Sequence, residues 1–173
     1  IVPLAEGFEE IEAFTVIDVL RRAGIEVVTA GIPGNLIESA HGVRVICDER
    51  LVDLDYKKFD GIVLPGGYPG YENLAKDEII REIVRDFASN GKLVAAICGA
   101  PLVLAKAGVL EGKRATIYPG MEKFLDRPRD DRVVVEGNII TSQGPGTAME
   151  FALAIVEYLL GKVKAETLRK QLV

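Results

Sequence analysis

The sequence predicts an α/β sandwich built on a mostly parallel central sheet. Three observations carry that prediction. Short apolar runs alternate with amphipathic stretches along the whole chain. Ile62–Leu64 and Leu93–Ile97 are apolar throughout, as strands buried on both faces must be. The 173 residues, without an internal repeat or linker, have the size of one domain, so residues 1–173 are expected to form a single unit.

The elements follow in chain order. Ile1–Leu4 is the first apolar stretch. Glu9–Ala23 has helical periodicity and ends at Gly24, a C′ glycine. Ile25–Ala30 and Val43–Cys47 read as strands, and Gly61–Leu64 is a buried one. Asp77–Asn90 puts Ile80, Ile83, Val84 and Phe87 on one stripe and stops at Gly91. Leu93–Ile97 is the second buried strand, followed by a helix from Pro101 to Ala107. Arg114–Ile117 reads as a strand. Val133–Glu136 and Ile139–Ser142, split by Gly137-Asn138, predict a β-hairpin added to the sheet. Thr147-x-x-Glu150 has the form of a capping box and opens a helix to Leu160. A last helix is expected over about residues 165–172.

Composition limits the function. Hydrophobic residues at 49% and charged residues at 27% describe a globular chain rather than a disordered one. The net charge of −5 argues against nucleic acid as a partner. Two cysteines without a CxxC make neither a disulfide framework nor a zinc knuckle, and one histidine leaves little for a His-based metal site. The apolar run Leu93–Ala105 is too short to span a bilayer, and no signal-peptide pattern opens the chain. A reducing, cytoplasmic setting is the expectation. The chain starts at Ile1 without an initiator methionine, so a few residues are expected to precede it.

Open parallel sheets place their sites at the carboxyl ends of strands. Cys98 follows the buried strand Leu93–Ile97 and precedes a helix. The small residues Ala95, Ala96, Gly99 and Ala100 permit a sharp strand-to-helix turn there, analogous to a nucleophile elbow. A helix amino terminus favours the thiolate, whereas a lone cysteine can equally be buried and inert. Pro65-Gly66-Gly67 follows the other buried strand. Its glycines allow backbone N–H groups to form an anion nest, or simply a tight turn. No P-loop or G-x-G-x-x-G is present, which excludes those modes of nucleotide binding.

Glu12 shares its helix stripe with Val16, Val19 and Ala23, while Ile11 shares a face with Thr15, Asp18 and Arg22. The polarity is inverted at this pair. A carboxylate aimed at the core must be paired or protonated; a phase error of one residue would instead leave Glu12 solvated. Cys47 precedes Asp48 and Glu49, whose charge disfavours a thiolate there. His41 stands alone. Ser142-Gln143-Gly144-Pro145-Gly146-Thr147 reads as a turn.

Together these motifs resemble the ThiJ/PfpI superfamily, in the branch of the Parkinson-associated protein deglycase and the bacterial YajL-like proteins. The matching segments are Ala5–Glu12, Val63–Gly67, Ala95–Cys98 and Thr141–Thr147, in the right order over essentially the whole chain. The resemblance implies a flavodoxin-like three-layer sandwich and a homodimer formed through the first helix, with Ile11 on its outer face. It assigns Cys98 as a nucleophilic, peroxide-sensitive cysteine and Glu12 as a protonated partner of its sulfur. It gives Gly67 and Gly99, with the neighbouring Gly66, as oxyanion donors, and it requires no metal or cofactor.

Two departures stand out. Tyr118 occupies the position of a frequent family histidine, and Gly99 follows the cysteine where the peptidase branch has histidine. Both weaken a cysteine peptidase or amidase reading. His41 matches a position, often arginine, that reaches the neighbouring subunit's cysteine. The expectation is therefore a cofactor-independent glyoxalase III-type or deglycase enzyme acting on methylglyoxal-like α-oxoaldehydes or their adducts. The alternative is an oxidative-stress sensor with holdase chaperone activity.

Overall fold

The computed structural model describes residues 1–173. In chain order, β1 (Val2–Ala5) leads to α1 (Glu10–Arg22) and β2 (Thr29–Ile32). A small hairpin of β3 (Leu36–Glu38) and β4 (Arg44–Ile46) follows, then β5 (Glu49–Arg50) and β6 (Gly61–Leu64). Next come α2 (Gly70–Lys76), α3 (Glu78–Ser89), β7 (Leu93–Ile97) and α4 (Pro101–Lys106). The short β8 (Arg114–Ala115) and β9 (Arg127–Pro128) precede the hairpin of β10 (Val133–Glu136) and β11 (Ile139–Ser142). The chain closes with α5 (Ala148–Leu160) and α6 (Lys162–Gln171).

β5, β2 and β1 pair in parallel, and β6, β7 and β11 do likewise, with β10 antiparallel at the edge. The two groups join where the Ile1 amine donates to the Gly61 carbonyl (2.9 Å) and Val63 N–H donates to the Ile1 carbonyl (2.9 Å). The order β2-β1-β6-β7-β11 is the flavodoxin-like one. Alternate residues of β7 supply the two faces. Leu93, Ala95 and Ile97 pack in a cluster of 25 buried residues with α1, α5 and α6, and Val94 and Ala96 in one of 23 with α2, α3 and α4. Cores of nearly equal size on both sides explain why the strands lack a polar face.

Local signals set most boundaries. Asp77 caps α3 by accepting from Ile80 N–H (3.0 Å), and Ile80, Ile83, Val84 and Phe87 are all fully buried. Glu9 caps α1 by accepting from Ile11 N–H (3.1 Å).

Four expectations need correction. Residues 25–27 are not laddered; Arg21 Nη2 donates to the Val27 carbonyl (2.9 Å), the Val28 carbonyl accepts from Val2 N–H (2.9 Å), and β2 starts at Thr29. The Val43–Cys47 segment pairs only with β3, so its strand lies off the central sheet. β8 ends at Ala115 because Thr116 N–H donates to the Thr141 side chain (3.0 Å) instead of a strand neighbour. The Thr147–Glu150 capping box does not form. Thr147 Oγ1 bonds within its own turn, to Gly144 and Ser142, and Glu150 pairs with Arg132 (2.9 Å).

Candidate active site

β1 connects leftward to β2 while β6 connects rightward to β7, so the sheet's switch point lies between β1 and β6. Three segments meet just beyond it: the first turns of α1, the Gly66-Gly67 turn after β6, and the turn after β7.

Cys98 occupies that last turn with φ +64°, the one non-glycine residue of the chain in the left-handed region. Such a conformation costs about 1–2 kcal/mol. It is held at both ends: Cys98 N–H donates to the Ser142 carbonyl (3.0 Å), and Tyr118 N–H donates to the Cys98 carbonyl (2.8 Å). Backbone strain that neighbouring elements enforce marks functional sites.

Glu12 is fully buried on α1, as its stripe predicts, while Ile11 beside it is 56% exposed. Its Oε2 accepts from Gly66 N–H (2.7 Å); its Oε1 is buried without a hydrogen-bond partner. Gly66 must be glycine because a Cβ there would lie 2.6 Å from Cys98 Cβ and 2.7 Å from Glu12 Oε2. The carboxyl and the thiol thus face each other across a bare backbone. Gly67 has φ +90°, and a Cβ on it would fall 2.3 Å from the Glu9 nitrogen.

Burial raises the Glu12 pKa to about 7, against smaller lowering by the Gly66 hydrogen bond and by the neighbouring Cys98 thiol. Burial also pushes the Cys98 thiol up, to about 12, helped by the charge and hydrogen bonding of an ionised Glu12. The backbone amides of Gly67 and Gly99 near the sulfur work downward, but less strongly. The expected thiolate is therefore not the resting form opposite a charged Glu12. The helix behind Cys98, α4, spans only six residues, so its dipole is weak against the loss of water. Protonating Glu12 removes its repulsion, so the two groups titrate as a pair.

The structure brings Cys98, Glu12, Gly66, Gly67 and Gly99 together. The Gly67 and Gly99 amides lie near the sulfur, whereas Gly66 is committed to Glu12 and is not a free oxyanion donor. Tyr118 is half-exposed, with its ring near Gly144. His41 is exposed and engages its own chain: its Nδ1 lies 2.7 Å from Glu10 Oε2, and its N–H donates to Glu10 Oε1 (2.8 Å). Ser39 Oγ donates to the same Oε1. Glu9, Glu10 and His41 offer ligand atoms within 4.8 Å of one another, but these contacts already use both oxygens of Glu10. Cys47 is buried, and burial followed by the Asp48 charge raises its pKa to about 11.

Sequence reasoning missed α2, because Pro69-Gly70 reads as punctuation. Yet α2 carries Tyr71 to the site: a Cβ on Gly99 would lie 2.5 Å from Tyr71 Cδ1, so the ring covers that glycine. The spacing of Tyr71 to Leu74 and Ala75 was the available signal.

The sequence pattern of the DJ-1/PfpI family matches residues 1–158. The chain belongs to the DJ-1/PfpI family. Protein dj-1beta of Drosophila melanogaster is 45% identical, over 99% of this chain and 95% of that protein. The glutathione-independent glyoxalase DJR-1.2 of Caenorhabditis elegans is 40% identical, over 96% of this chain and 91% of that protein. This chain spans only 39% of the length of a third relative, DJ-1 homolog B of Arabidopsis thaliana, at 44% identity. Among solved structures, oxidized Toxoplasma gondii DJ-1 superposes with a TM-score of 0.95 at 38% identity, covering 99% of this chain and 95% of that one. The DJ-1/PfpI membership and the DJ-1 fold agree with the resemblance read from the motifs. No helix is long and apolar enough to cross a membrane.

Proposed function

We propose that the chain is a cofactor-independent glyoxalase, converting an α-oxoaldehyde and water into a 2-hydroxy acid, with deglycation of the corresponding adducts as the same chemistry. The observation that carries this reading is the buried Glu12 Oε1, unpartnered and set across Gly66 from a Cys98 held in a strained turn.

The sulfur of Cys98 adds to the aldehyde carbon, and the thiol proton passes through Glu12 to the aldehyde oxygen, giving a hemithioacetal. Glu12, ionised again, removes the hydrogen from that carbon and returns it to the adjacent carbonyl carbon, while the hydroxyl proton of the hemithioacetal moves to the ketone oxygen. The result is a thioester, which water hydrolyses to the hydroxy acid and free thiol. One carbon is oxidised and its neighbour reduced, so no external oxidant is needed. A carboxyl with a pKa of about 7 is suited to both giving and taking the proton. In this reading the Gly67 and Gly99 N–H groups stabilise the developing oxyanion.

A peptidase reading is not favoured, since neither Gly99 nor Tyr118 supplies a base. A homodimer through α1 belongs to the same proposal. Ile11 and Phe14 are exposed on that helix, and apolar side chains are left uncovered there. In that dimer His41 is the residue proposed to reach the partner's site.

Conversion of methylglyoxal to lactate without glutathione tests the reading. Turnover is expected from the wild type and a loss of at least about 100-fold in both Cys98→Ser and Glu12→Gln, the scale of a removed acid–base group or nucleophile. Turnover that survives without Cys98, or none in the wild type, would overturn it and favour oxidation sensing at Cys98.

A further inference from the structure

The start of α1 and the β3–β4 turn bring two carboxylates and the single imidazole of the chain together. One ligand atom from each of Glu9, Glu10 and His41 lies within 4.8 Å of the others. The backbone fixes this meeting. Ala40 N–H donates to the Phe8 carbonyl (2.8 Å) and Gly7 N–H donates to the Glu38 carbonyl (2.9 Å), so the turn that carries His41 is tied to the residues just before α1.

Each carboxylate has one oxygen held and one turned to the ring. Glu9 Oε1 accepts from Ile11 N–H (3.1 Å). Glu10 Oε1 accepts from His41 N–H (2.8 Å) and from Ser39 Oγ. The other two oxygens converge on one nitrogen: His41 Nδ1 lies 2.7 Å from Glu10 Oε2 and 3.8 Å from Glu9 Oε2. Glu9 is only 7% exposed, yet no hydrogen-bond donor reaches its Oε2. A buried carboxylate is costly unless it is paired or coordinates a metal. Bonds of about 2.0–2.2 Å at tetrahedral angles place neighbouring ligand atoms about 3.3 Å apart. The spacings of 2.7 and 3.8 Å bracket that value, and the ring that must adjust is exposed. A metal ion takes the place of the proton between Nδ1 and Glu10 Oε2, and two carboxylates with a neutral imidazole balance a double positive charge. We infer that Glu9 Oε2, Glu10 Oε2 and His41 Nδ1 form a three-ligand site for a divalent cation of the zinc type, with its fourth position open. The donors on the two Oε1 atoms are the outer supports that orient the ligands. Coordination through Nδ1 leaves Nε2 uncommitted. The site is independent of the reaction proposed above, because neither Cys98 nor Glu12 is a ligand.

Titration with zinc chloride at pH 8, followed by calorimetry and by the proton NMR signals of the one histidine, tests the inference. The wild type and Cys98→Ser are both expected to bind one zinc per chain and to shift the His41 ring signals. His41→Ala and Glu9→Gln should each weaken binding by at least about tenfold. Glutamine at 9 keeps a carbonyl oxygen for the Ile11 N–H, so the helix cap remains. Magnesium and calcium chlorides should bind at least about tenfold more weakly than zinc, since an imidazole suits neither hard cation. Ring signals that zinc leaves unmoved in the wild type would overturn the site without recourse to any variant. So would zinc affinity that survives either substitution, or that is lost in Cys98→Ser, which would place the metal at the thiol. Magnesium binding as strong as zinc binding would reduce the cluster to an acidic surface and overturn it as well.

Discussion

Replacing Glu12 with glutamine should change how stability depends on pH. In the fold the carboxyl is fully buried and its pKa is raised from 4.5 to about 7, burial being the main cause. A raised acid pKa means that the folded chain binds this proton more tightly than the unfolded chain does. Between pH 4.5 and 7 the folded state holds the proton and the unfolded state has lost it, so rising pH weakens the fold. At 1.36 kcal/mol for each pKa unit, the loss is about 3 kcal/mol by pH 8. Glutamine keeps a carbonyl oxygen for the Gly66 N–H and carries no titratable proton. Urea unfolding of both chains from pH 4 to pH 8.5 reads the effect, because every other group is shared and the Cys98 thiol coupled to Glu12 stays protonated below pH 8.5 in the wild type. The wild type should lose about 3 kcal/mol relative to Glu12→Gln across that window, with the steepest change between pH 5 and 7. Parallel stability profiles would refute the reasoning, showing that Glu12 titrates as an ordinary carboxyl.

Two further outcomes follow from the geometry. Gly67→Ala should destabilise the fold by about 2–4 kcal/mol, because φ +90° is strained for alanine and its Cβ would meet the Glu9 backbone at 2.3 Å; a urea midpoint within experimental error of the wild type would show that the turn relaxes freely. His41 is the single histidine, so its ring signals in proton NMR are unambiguous. It should titrate above its ordinary 6.5, chiefly through the hydrogen bond to Glu10 and then the charge of that group, and Glu10→Gln should lower its midpoint, whereas an unmoved midpoint would dissolve the pair.

Much of the molecule was legible in the sequence because the evidence for it is local. β6 and β7 announce themselves as uninterrupted apolar runs, since each is covered on both faces. α3 is readable from its apolar stripe and from Asp77 at its start. The inverted pair Ile11–Glu12 was visible because helical geometry alone fixes which side chains share a face. Elements that depend on distant partners were less visible. α2 begins after Pro69-Gly70 and is held by what Leu74 and Ala75 bury, not by propensity. The segment Val43–Cys47 has strand character, but its strand pairs only with β3, outside the sheet. Thr147 and Glu150 have the spacing of a capping box, yet Ser142 in the preceding turn and Arg132, 18 residues before Glu150, offer them other partners.

The sequence by itself determined the fold class, the helix stripes and the sharp turn at Cys98, because periodicity and small residues are properties of neighbouring positions. Only the tertiary structure decided the proton balance at that turn. Helix position favoured a thiolate, but desolvation and the facing carboxyl outweigh a dipole of six residues. Only the tertiary structure committed Gly66 to Glu12 and laid Tyr71 over Gly99. Desolvation and charge pairing depend on which chain segments exclude water from one another, and that is fixed by the packed fold.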